Sequence, residues 1–433
     1  MKKTTCPQAL CRSFSPSRSP PPRRLHRPAG LRPPDEGPGK KARVDYTVNK
    51  QAWKHLDRAQ KALAEKDYKA AKEELDEMQE RKKRFNEYEL ALMWQTYAHM
   101  YADQEDMPAA AAALQNALAG ETLPEGALID AMYNLGQLQL ATEQYDKAAA
   151  TFTRWLELAG DKATPEARYV IGVAFAQAKQ YEKATEQVRA ALAAVDTPPE
   201  NWLQLLMSVR FELGDLATVE DVLKQLLQRY PRKAYWQQLA GVYAEKRQDE
   251  KALAVMELMH TQGILESRDE LLRLAQMYLF MGVPQKATAV LTGGLDGGPL
   301  ERDEKTLELL ASSYLYARES EDAKGILAEA AKKSDSGEIY LQLARQQLRD
   351  GQFEAAAASA RRGINKGGVD NPGQAWLLLG SIHFNAEEWS AALDAFRRAE
   401  GFDDTRATAA QWRAAAEGQI EMARAEAQAA AGR

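Results

Sequence analysis

The feature that most constrains this chain is an internal repeat with a period of about 36 residues. Each copy has an anchor residue that is usually small and an apolar residue sixteen positions later, and nine of the ten copies have an alanine twelve positions after the anchor. The anchors are Ala59, Ala98, Gly136, Gly172, Met207, Ala240, Ala275, Ala311, Ala344 and Gly380. The positions twelve later are Ala71, Ala110, Ala148, Ala184, Val219, Ala252, Ala287, Ala323, Ala356 and Ala392. This register predicts a fold built from ten copies of one two-helix unit.

The residue types of the repeat are those that closely packed helices require. Glycine and alanine at a crossing let two backbones approach, so we expect the anchor and the following alanine to face each other. The third position, occupied by residues such as Phe152 and Phe396, is expected to fill the layer between the helices. Met207 and Val219 depart from the pattern together, which indicates an irregularity in the fifth copy. Short turns containing glycine, such as Gly214, predict antiparallel neighbours.

The composition of the chain changes near residue 50. Residues 1–50 hold 9 of the 18 prolines and carry 12 Lys and Arg against 3 Asp and Glu. The remainder carries 45 basic and 59 acidic side chains, a net charge of -14. We therefore predict a disordered basic tail, or a misassigned or degenerate leader, at 1–50. A repeat body at 51–403 and a capping helix at 404–433, rich in alanine and containing Trp412, complete the expected organisation.

The charge and hydropathy of the chain exclude two classes of partner. A polyanion requires a basic face on the folded part, so the acidic body argues against nucleic acid. No apolar run approaches the roughly 18 residues that span a bilayer, so we predict no integral membrane segment. The start of the chain, from Met1 to Lys3, is charged like a secretory signal, but no apolar stretch follows it. The tail could instead serve as a docking arm.

No arrangement of reactive residues is visible in the sequence. Both cysteines, Cys6 and Cys11, lie in the tail, and the five histidines occur singly, without the spacing of metal ligands. The glycine-rich stretches lack the setting of a phosphate-binding loop. Adjacent acids such as Glu73 and Glu74 suit a solvent-exposed helix face better than acid–base catalysis. We therefore expect no enzyme activity, no catalytic residue, no metal site, no cofactor and no small-molecule substrate.

Two copies of the repeat show a resemblance to a known family. The matching residues are Trp376, Leu379 and Gly380 in the last copy, and Asn134, Leu135, Gly136, Tyr145, Ala148 and Phe152 in the third. They resemble the tetratricopeptide-repeat (TPR) signature, over about residues 52–402. The resemblance implies an all-α, right-handed superhelical solenoid of about ten helix-turn-helix repeats, acting as a non-enzymatic scaffold. In its length, its acidic body of ten repeats and its poorly defined amino-terminal leader, the chain is also similar to Gram-negative TPR proteins encoded beside the TonB system. That similarity implies a periplasmic location, with the cytoplasm as the alternative.

In a stack of this kind the first helix of each repeat lines the concave wall. Positions three before, one after and four after each anchor share one stripe of that helix. Aromatic rings beside amides suit an extended peptide, because rings bury side chains while amides pair with its backbone. The candidate partner-binding residues are Tyr133, Gln137, Tyr169, Asn201, Gln204, Phe211 and Gln237. We expect that the helix crossings do not need five of them, which are Tyr133, Tyr169, Asn201, Gln204 and Gln237. The alternative is an ordinary solvated face.

Two functional classes stay open at this point. The first is a scaffold that binds a protein or peptide partner in the concave groove, as an accessory component of a bacterial envelope complex of the TonB type. The second is a structural spacer or assembly factor in a secretion or cell-envelope biogenesis complex. A partner held by its terminal carboxylate is disfavoured, because the only basic pair on this wall is Arg345 with Arg349.

Overall fold

The computed structural model describes residues 46–431, with side chains through residue 428. These residues form 21 α-helices and no strand, so the predicted all-α class is confirmed for this part of the chain. The first helices of the copies are α1 (Lys50–Ala64), α3 (Glu87–Asp103), α5 (Glu125–Ala141), α7 (Pro165–Gln177), α9 (Glu200–Glu212), α11 (Lys233–Glu245), α13 (Arg268–Phe280), α15 (Glu304–Tyr316), α17 (Glu338–Arg349) and α19 (Pro372–Asn385).

The second helices follow after short turns. They are α2 (Tyr68–Glu80), α4 (Met107–Leu118), α6 (Tyr145–Ala159), α8 (Tyr181–Ala193), α10 (Leu216–Arg229), α12 (Asp249–Thr261), α14 (Pro284–Leu295), α16 (Ser320–Lys333), α18 (Phe353–Lys366) and α20 (Trp389–Ala399). A final helix, α21 (Arg406–Ala431), ends the described chain. Nearly all of the predicted tail, including Cys6 and Cys11, lies outside the described residues.

The chain divides into two compact units, the first ending at Gln238 and the second beginning at Leu239. We call them unit 1 and unit 2. Each helix contacts the next, from α1 to α10 in unit 1 and from α12 to α21 in unit 2. Several first helices also contact the first helix of the next copy. For example, α7 contacts α9, and α13 contacts α15. The count of ten repeats, the right-handed superhelix and the boundaries at 1–50, 51–403 and 404–433 stay predictions.

The anchors and the residues twelve positions after them are all buried. At the glycine anchors the third position of the repeat is the nearest neighbour, and at Gly172 the carbonyl oxygen of Ala184, at the alanine position, is also close, 3.5 Å from where a Cβ atom would lie. A Cβ atom built on Gly136 would lie 2.6 Å from the ring of Phe152, and one built on Gly172 would lie 2.6 Å from Val188 Cγ2. Phe152 and Val188 occupy the third position of the repeat, not the alanine position. The anchor is therefore small mainly because it must make room for the third residue.

The ten turns inside the helix pairs share one backbone geometry. The residue seven positions after each anchor has a positive φ, between 54° and 71°, in every copy. The next amide donates to a carbonyl five positions back, as Gln144 N does to Gln139 O at 2.8 Å, which is the pattern of a Schellman motif. Glycine occupies this position only at Gly214, Gly282 and Gly351. The other seven residues are Lys66, Glu105, Glu143, Lys179, Arg247, Arg318 and Glu387.

A buried carboxylate secures the start of the described chain. Glu89, in the first turn of α3, is 1% exposed. Its Oε1 accepts a hydrogen bond from Asn49 N at 2.6 Å, and its Oε2 accepts from Asn86 N at 2.8 Å and from Asn49 Nδ2 at 3.1 Å. These donors satisfy the buried charge and tie the start of α1 to the start of α3.

The last helix lies against α20. Trp412 of α21 stacks on Phe396 with ring centroids 5.9 Å apart, and Phe384 meets the same indole edge-on at 5.3 Å. Phe396 is the third-position residue of the last copy and is fully buried. The tryptophan therefore helps to cover the apolar layer of the last copy.

Candidate partner-binding surface

The seven predicted residues lie on first helices of unit 1. Tyr133 and Gln137 are on α5, Tyr169 is on α7, Asn201, Gln204 and Phe211 are on α9, and Gln237 is on α11. We call these residues the unit 1 wall. Asn201 and Gln237 are exposed, whereas the other five are half-buried. The half-buried members therefore contact other parts of unit 1 as well as solvent.

Tyr133 packs against the second helix of its own copy. Its ring centroid lies 5.8 Å from that of Phe152 and 5.3 Å from that of Trp155, both on α6. Trp155 is held in turn by its indole N–H, which donates to Ile129 O at 3.0 Å. Gln137, one turn along α5, has a buried Oε1 without a hydrogen-bond partner among the described residues. A buried oxygen is not accessible to a partner, so only the rest of this side chain is available.

Tyr169 joins the fourth copy to the fifth. Its ring stacks on the buried indole of Trp202, with centroids 5.3 Å apart and planes at 14°. Its hydroxyl accepts a hydrogen bond from Asn201 Nδ2 at 3.0 Å. Burial raises the pKa of Tyr169, so the phenol stays neutral and can keep this bond over the ordinary pH range. The pair of Tyr169 and Asn201 therefore bridges α7 and α9.

Gln204 makes the corresponding bridge from the fifth copy to the start of α11. Its Nε2 donates to Tyr235 Oη at 2.6 Å, and that hydroxyl donates to the Glu200 carboxylate. Arg232 pairs with the other oxygen of Glu200 at 2.7 Å. Burial, with the carboxylate beside it, raises the pKa of Tyr235 to about 12. Gln204 thus belongs to a polar cluster that holds the beginning of α11 against α9.

These contacts correct one expectation from the sequence. We expected the two tyrosines to have no part in helix packing, but Tyr133 packs on α6 and Tyr169 links two copies. The physical reason is side-chain length, because an aromatic ring three positions before the anchor reaches the next helix. A role of the unit 1 wall in partner binding stays a prediction.

Sequence reasoning missed the residues that complete these bridges. Trp202, Glu200 and Tyr235 lie five to seven positions before their anchors, outside the stripe that was considered. The signal that could have found them is the repeat register itself. In two successive copies, the residue three positions before one anchor bonds a residue five or six positions before the next. An alignment of neighbouring copies would have shown polar pairs at this offset.

Two histidines, His55 and His383, contact acidic residues that the sequence predicts to lie in exposed pairs. His55 Nδ1 lies 2.8 Å from Glu74 Oε2, and Arg58 pairs with Glu74 Oε1 at 3.2 Å, so Glu74 is not simply a solvated charge. His383 is buried and contacts Glu388 and Arg361. Among the side chains that the structure describes, no three His, Cys, Asp or Glu come together in a way that could hold a metal ion. Of the helices formed by residues 46–431, none combines the length and hydropathy needed to cross a membrane.

A sequence profile of the family described as tetratricopeptide repeat matches residues 98–163, 133–199 and 341–408. These three segments together include the third and fourth copies of the repeat and the last one. A search among curated proteins found no match.

The solved structures that match this chain have low sequence identity to it. One is the structure of Naa15/Naa10 bound to HypK-THB, with 15% identity and a TM-score of 0.45, covering 87% of this chain. This chain spans only 64% of that relative's length. A tetratricopeptide repeat protein from Parabacteroides merdae has 17% identity and a TM-score of 0.33, with 61% of this chain and 99% of that chain covered. The TPR2AB-domain:pHSP90 complex of yeast Sti1 has 16% identity and a TM-score of 0.32, with coverages of 60% and 99%.

Proposed function

We propose that this chain, a protein with tetratricopeptide repeats, is a non-enzymatic scaffold that binds a protein or peptide partner on the unit 1 wall. Tetratricopeptide repeats are an interaction fold, so the scaffold class follows from the family, whereas the surface and the partner are our proposal. The observation that carries this proposal is that hydrogen bonds hold polar side chains of the wall in place. Asn201 and Gln204 are each bonded to a tyrosine of a neighbouring copy.

An ordered polar wall favours binding of an extended segment. Side chains that are already held in place lose little conformational entropy when a partner arrives. Asn201 uses its N–H on Tyr169, which leaves its carbonyl oxygen able to accept from a peptide N–H. The half-buried ring of Phe211, further along α9, offers an apolar contact on the same helix. Together these groups could bind an extended segment by its backbone and by one or two apolar side chains.

A more specific proposal concerns the cellular compartment and the complex that the scaffold serves. We propose that the scaffold serves a bacterial envelope complex, of the TonB type or of another secretion or assembly machine, with the periplasm as its location. This proposal is supported by the similarity of the chain, in its length, acidic repeats and leader, to Gram-negative TPR proteins encoded beside the TonB system. Fractionation of cells and mass spectrometry of the mature amino terminus would test it. Recovery of the intact basic tail in the cytosol would contradict the periplasmic proposal.

Site-specific photo-cross-linking in cells tests the binding surface. A cross-linking side chain at Asn201 or Gln237, both exposed on first helices, should capture the partner. The matched control positions are Lys147 and Lys183, which are exposed on the second helices α6 and α8 of the same unit. Capture from the wall and not from the controls supports the proposal. Equal capture from both faces would remove the support for this wall.

Affinity measurements with the captured partner then give the energetic test. Phe211→Ala together with Gln237→Ala should weaken binding by about 1–2 kcal/mol, as expected for contacts near the centre of an interface. Lys147→Ala together with Lys183→Ala should leave the affinity unchanged. Melting curves of both double variants must stay close to that of the parent protein, so that a loss of binding is not a loss of folding.

A further inference from the structure

Unit 2 exposes two large aromatic side chains at the same position of successive copies. Phe280 is 78% exposed and Tyr316 is 73% exposed. Each lies five positions after its anchor, at the last residue of its first helix, and the two helices, α13 and α15, are in contact. Single exposed apolar residues are ordinary, but two in one register form a row. Arg349 occupies the same position in the next copy, at the end of α17.

A groove opens beside this row, between α15 and α17. Its volume is about 530 Å³, and it is lined by Leu315, Tyr316, Arg318, Arg349 and Asp350, among others. Leu315 and the phenol ring supply apolar surface, while the two guanidinium groups supply positive charge. We call these five residues the unit 2 groove. The groove is amphipathic, so a fitting ligand must offer both apolar and charged groups.

The positive charge of the groove is not neutralised from within. Arg318 forms no ion pair with any residue that the structure describes, and Arg349 donates only to the neutral Gln346 Oε1, at 2.5 Å. The one acid of the groove, Asp350, is already paired with the buried Lys324 at 2.8 Å and accepts from Ser320 Oγ at 2.8 Å. Lys324 holds the pKa of the Asp350 carboxyl below its usual range, so this pair stays ionised. Lys324 also pairs with Glu321 at 2.7 Å, so this cluster carries one negative charge against the two guanidinium groups. The groove therefore keeps a net positive charge beside exposed aromatic rings.

We propose that the unit 2 groove, extended by Phe280, is a docking site for an acidic peptide segment that carries aromatic or apolar side chains. Charge complementarity selects this occupant, because guanidinium groups pair with carboxylates in two-pronged contacts and the rings can bury apolar side chains. The groove is a cleft between two helices and not a flat face, so a peptide segment fits it better than a bilayer surface does. The inference goes beyond the proposed function, because it concerns a different unit and a different ligand chemistry from those of the unit 1 wall.

The test measures binding of a defined acidic probe to the full chain. A fluorescein-labelled random copolymer of glutamate and tyrosine is titrated with the protein, and fluorescence anisotropy gives the affinity. Unlabelled polyglutamate, used as a competitor, separates the charge from the aromatic contribution. Arg318→Gln with Arg349→Gln should weaken copolymer binding about tenfold, the loss expected for two partly exposed charge pairs. Phe280→Ser with Tyr316→Ser should weaken it by a similar factor.

A matched control removes two positive charges from the other face of the same unit. Lys332 and Arg362 are exposed on the second helices α16 and α18, so Lys332→Gln with Arg362→Gln changes the net charge equally without touching the groove. This control should bind the copolymer like the parent, and polyglutamate should compete poorly. The melting temperature is measured for each variant to confirm folding, above all for the arginine pair, because Arg349 donates a hydrogen bond to Gln346.

Several results would overturn the proposal. They are equal copolymer affinity for the parent and the arginine double variant, equal weakening by the control, and full competition by polyglutamate. Binding of phosphatidylserine vesicles in place of the copolymer, lost in the same variants, would assign the groove to a membrane. Self-association of the parent that the variants abolish would assign it to a second copy of the chain. None of these outcomes bears on the unit 1 wall, so the two proposals fail separately.

Discussion

Replacing Lys179 by glycine should stabilise unit 1, although the change removes a side chain and adds a flexible residue. Lys179 is exposed and has a φ of 58° in the turn between α7 and α8. A left-handed backbone costs an L-residue about 1–2 kcal/mol, whereas glycine adopts it freely but loses about 0.5–1 kcal/mol more entropy on folding. We expect a net gain of roughly 0.5–1 kcal/mol in the free energy of unfolding.

The same geometry predicts the opposite sign where glycine already occupies the turn. Gly214 has a φ of 71°, so Gly214→Ala should destabilise unit 1 by about 1 kcal/mol. Glu143, with a φ of 60° two turns earlier, provides a second test of the gain. Glu143→Gly and Lys179→Gly lie in different turns, and their effects should add to within about 0.5 kcal/mol.

Urea unfolding followed by circular dichroism measures these changes, and amide hydrogen exchange in α7 and α8 reports them locally. Hydrogen exchange is needed because a stack of repeats does not unfold in one step. Lys179→Ala is the decisive control, since it removes the same side chain but keeps the Cβ atom that opposes a positive φ. If the amides of α7 and α8 exchange as fast in Lys179→Gly as in Lys179→Ala, or faster, the positive φ at this turn does not lower the stability of unit 1. That result would refute the prediction.

Four further outcomes follow from contacts described above, each measured by thermal or urea unfolding. Ala148→Leu should cost about 1–3 kcal/mol through overpacking, whereas the surface change Lys147→Ala should stay within about 0.5 kcal/mol; similar melting of both would contradict the register. Tyr169→Phe removes only the hydroxyl that accepts a hydrogen bond from Asn201 and should cost about 1 kcal/mol of unfolding free energy. An unchanged stability would show that this hydrogen bond does not stabilise the protein. Glu89→Ala should cost about 2 kcal/mol by removing three hydrogen bonds to one carboxyl group, and a smaller loss than that of Tyr169→Phe would be inconsistent with this. Removing residues 373–433 should reduce helicity only in proportion to the helices lost, while complete loss of helicity would contradict a stack of neighbouring contacts.

The helical part of the fold was predictable because its pattern repeats. The anchor and the alanine twelve positions later place every first and second helix, and the structure has a helix at each of these positions. The contact at the anchor was less predictable, since a small residue shows that space is scarce without showing what fills it. A Cβ atom on Gly136 would meet the ring of Phe152 first, because this longer side chain reaches across the helix pair.

The features that escaped prediction depend on side-chain reach and on backbone strain. The bond from Asn201 to Tyr169 joins residues 32 positions apart, and helix periodicity within one copy contains no signal for it. The left-handed turn position was visible only where it holds glycine, as at Gly282, because Lys, Glu or Arg there looks like any surface residue. Exposure of Phe280 could not be foreseen either, since an apolar residue near a helix end is more often covered.

The shared turn geometry also bears on the order in which the chain folds. Where the turn residue is not glycine, closing the turn before its two helices dock costs about 1–2 kcal/mol, because an L-residue disfavours the left-handed backbone. Where it is Gly214, Gly282 or Gly351, the turn can close before the helices meet. One such hairpin lies in unit 1 and two lie in unit 2. Each unit therefore contains at least one helix pair suited to form early, from which structure can spread to the neighbouring copies by contact.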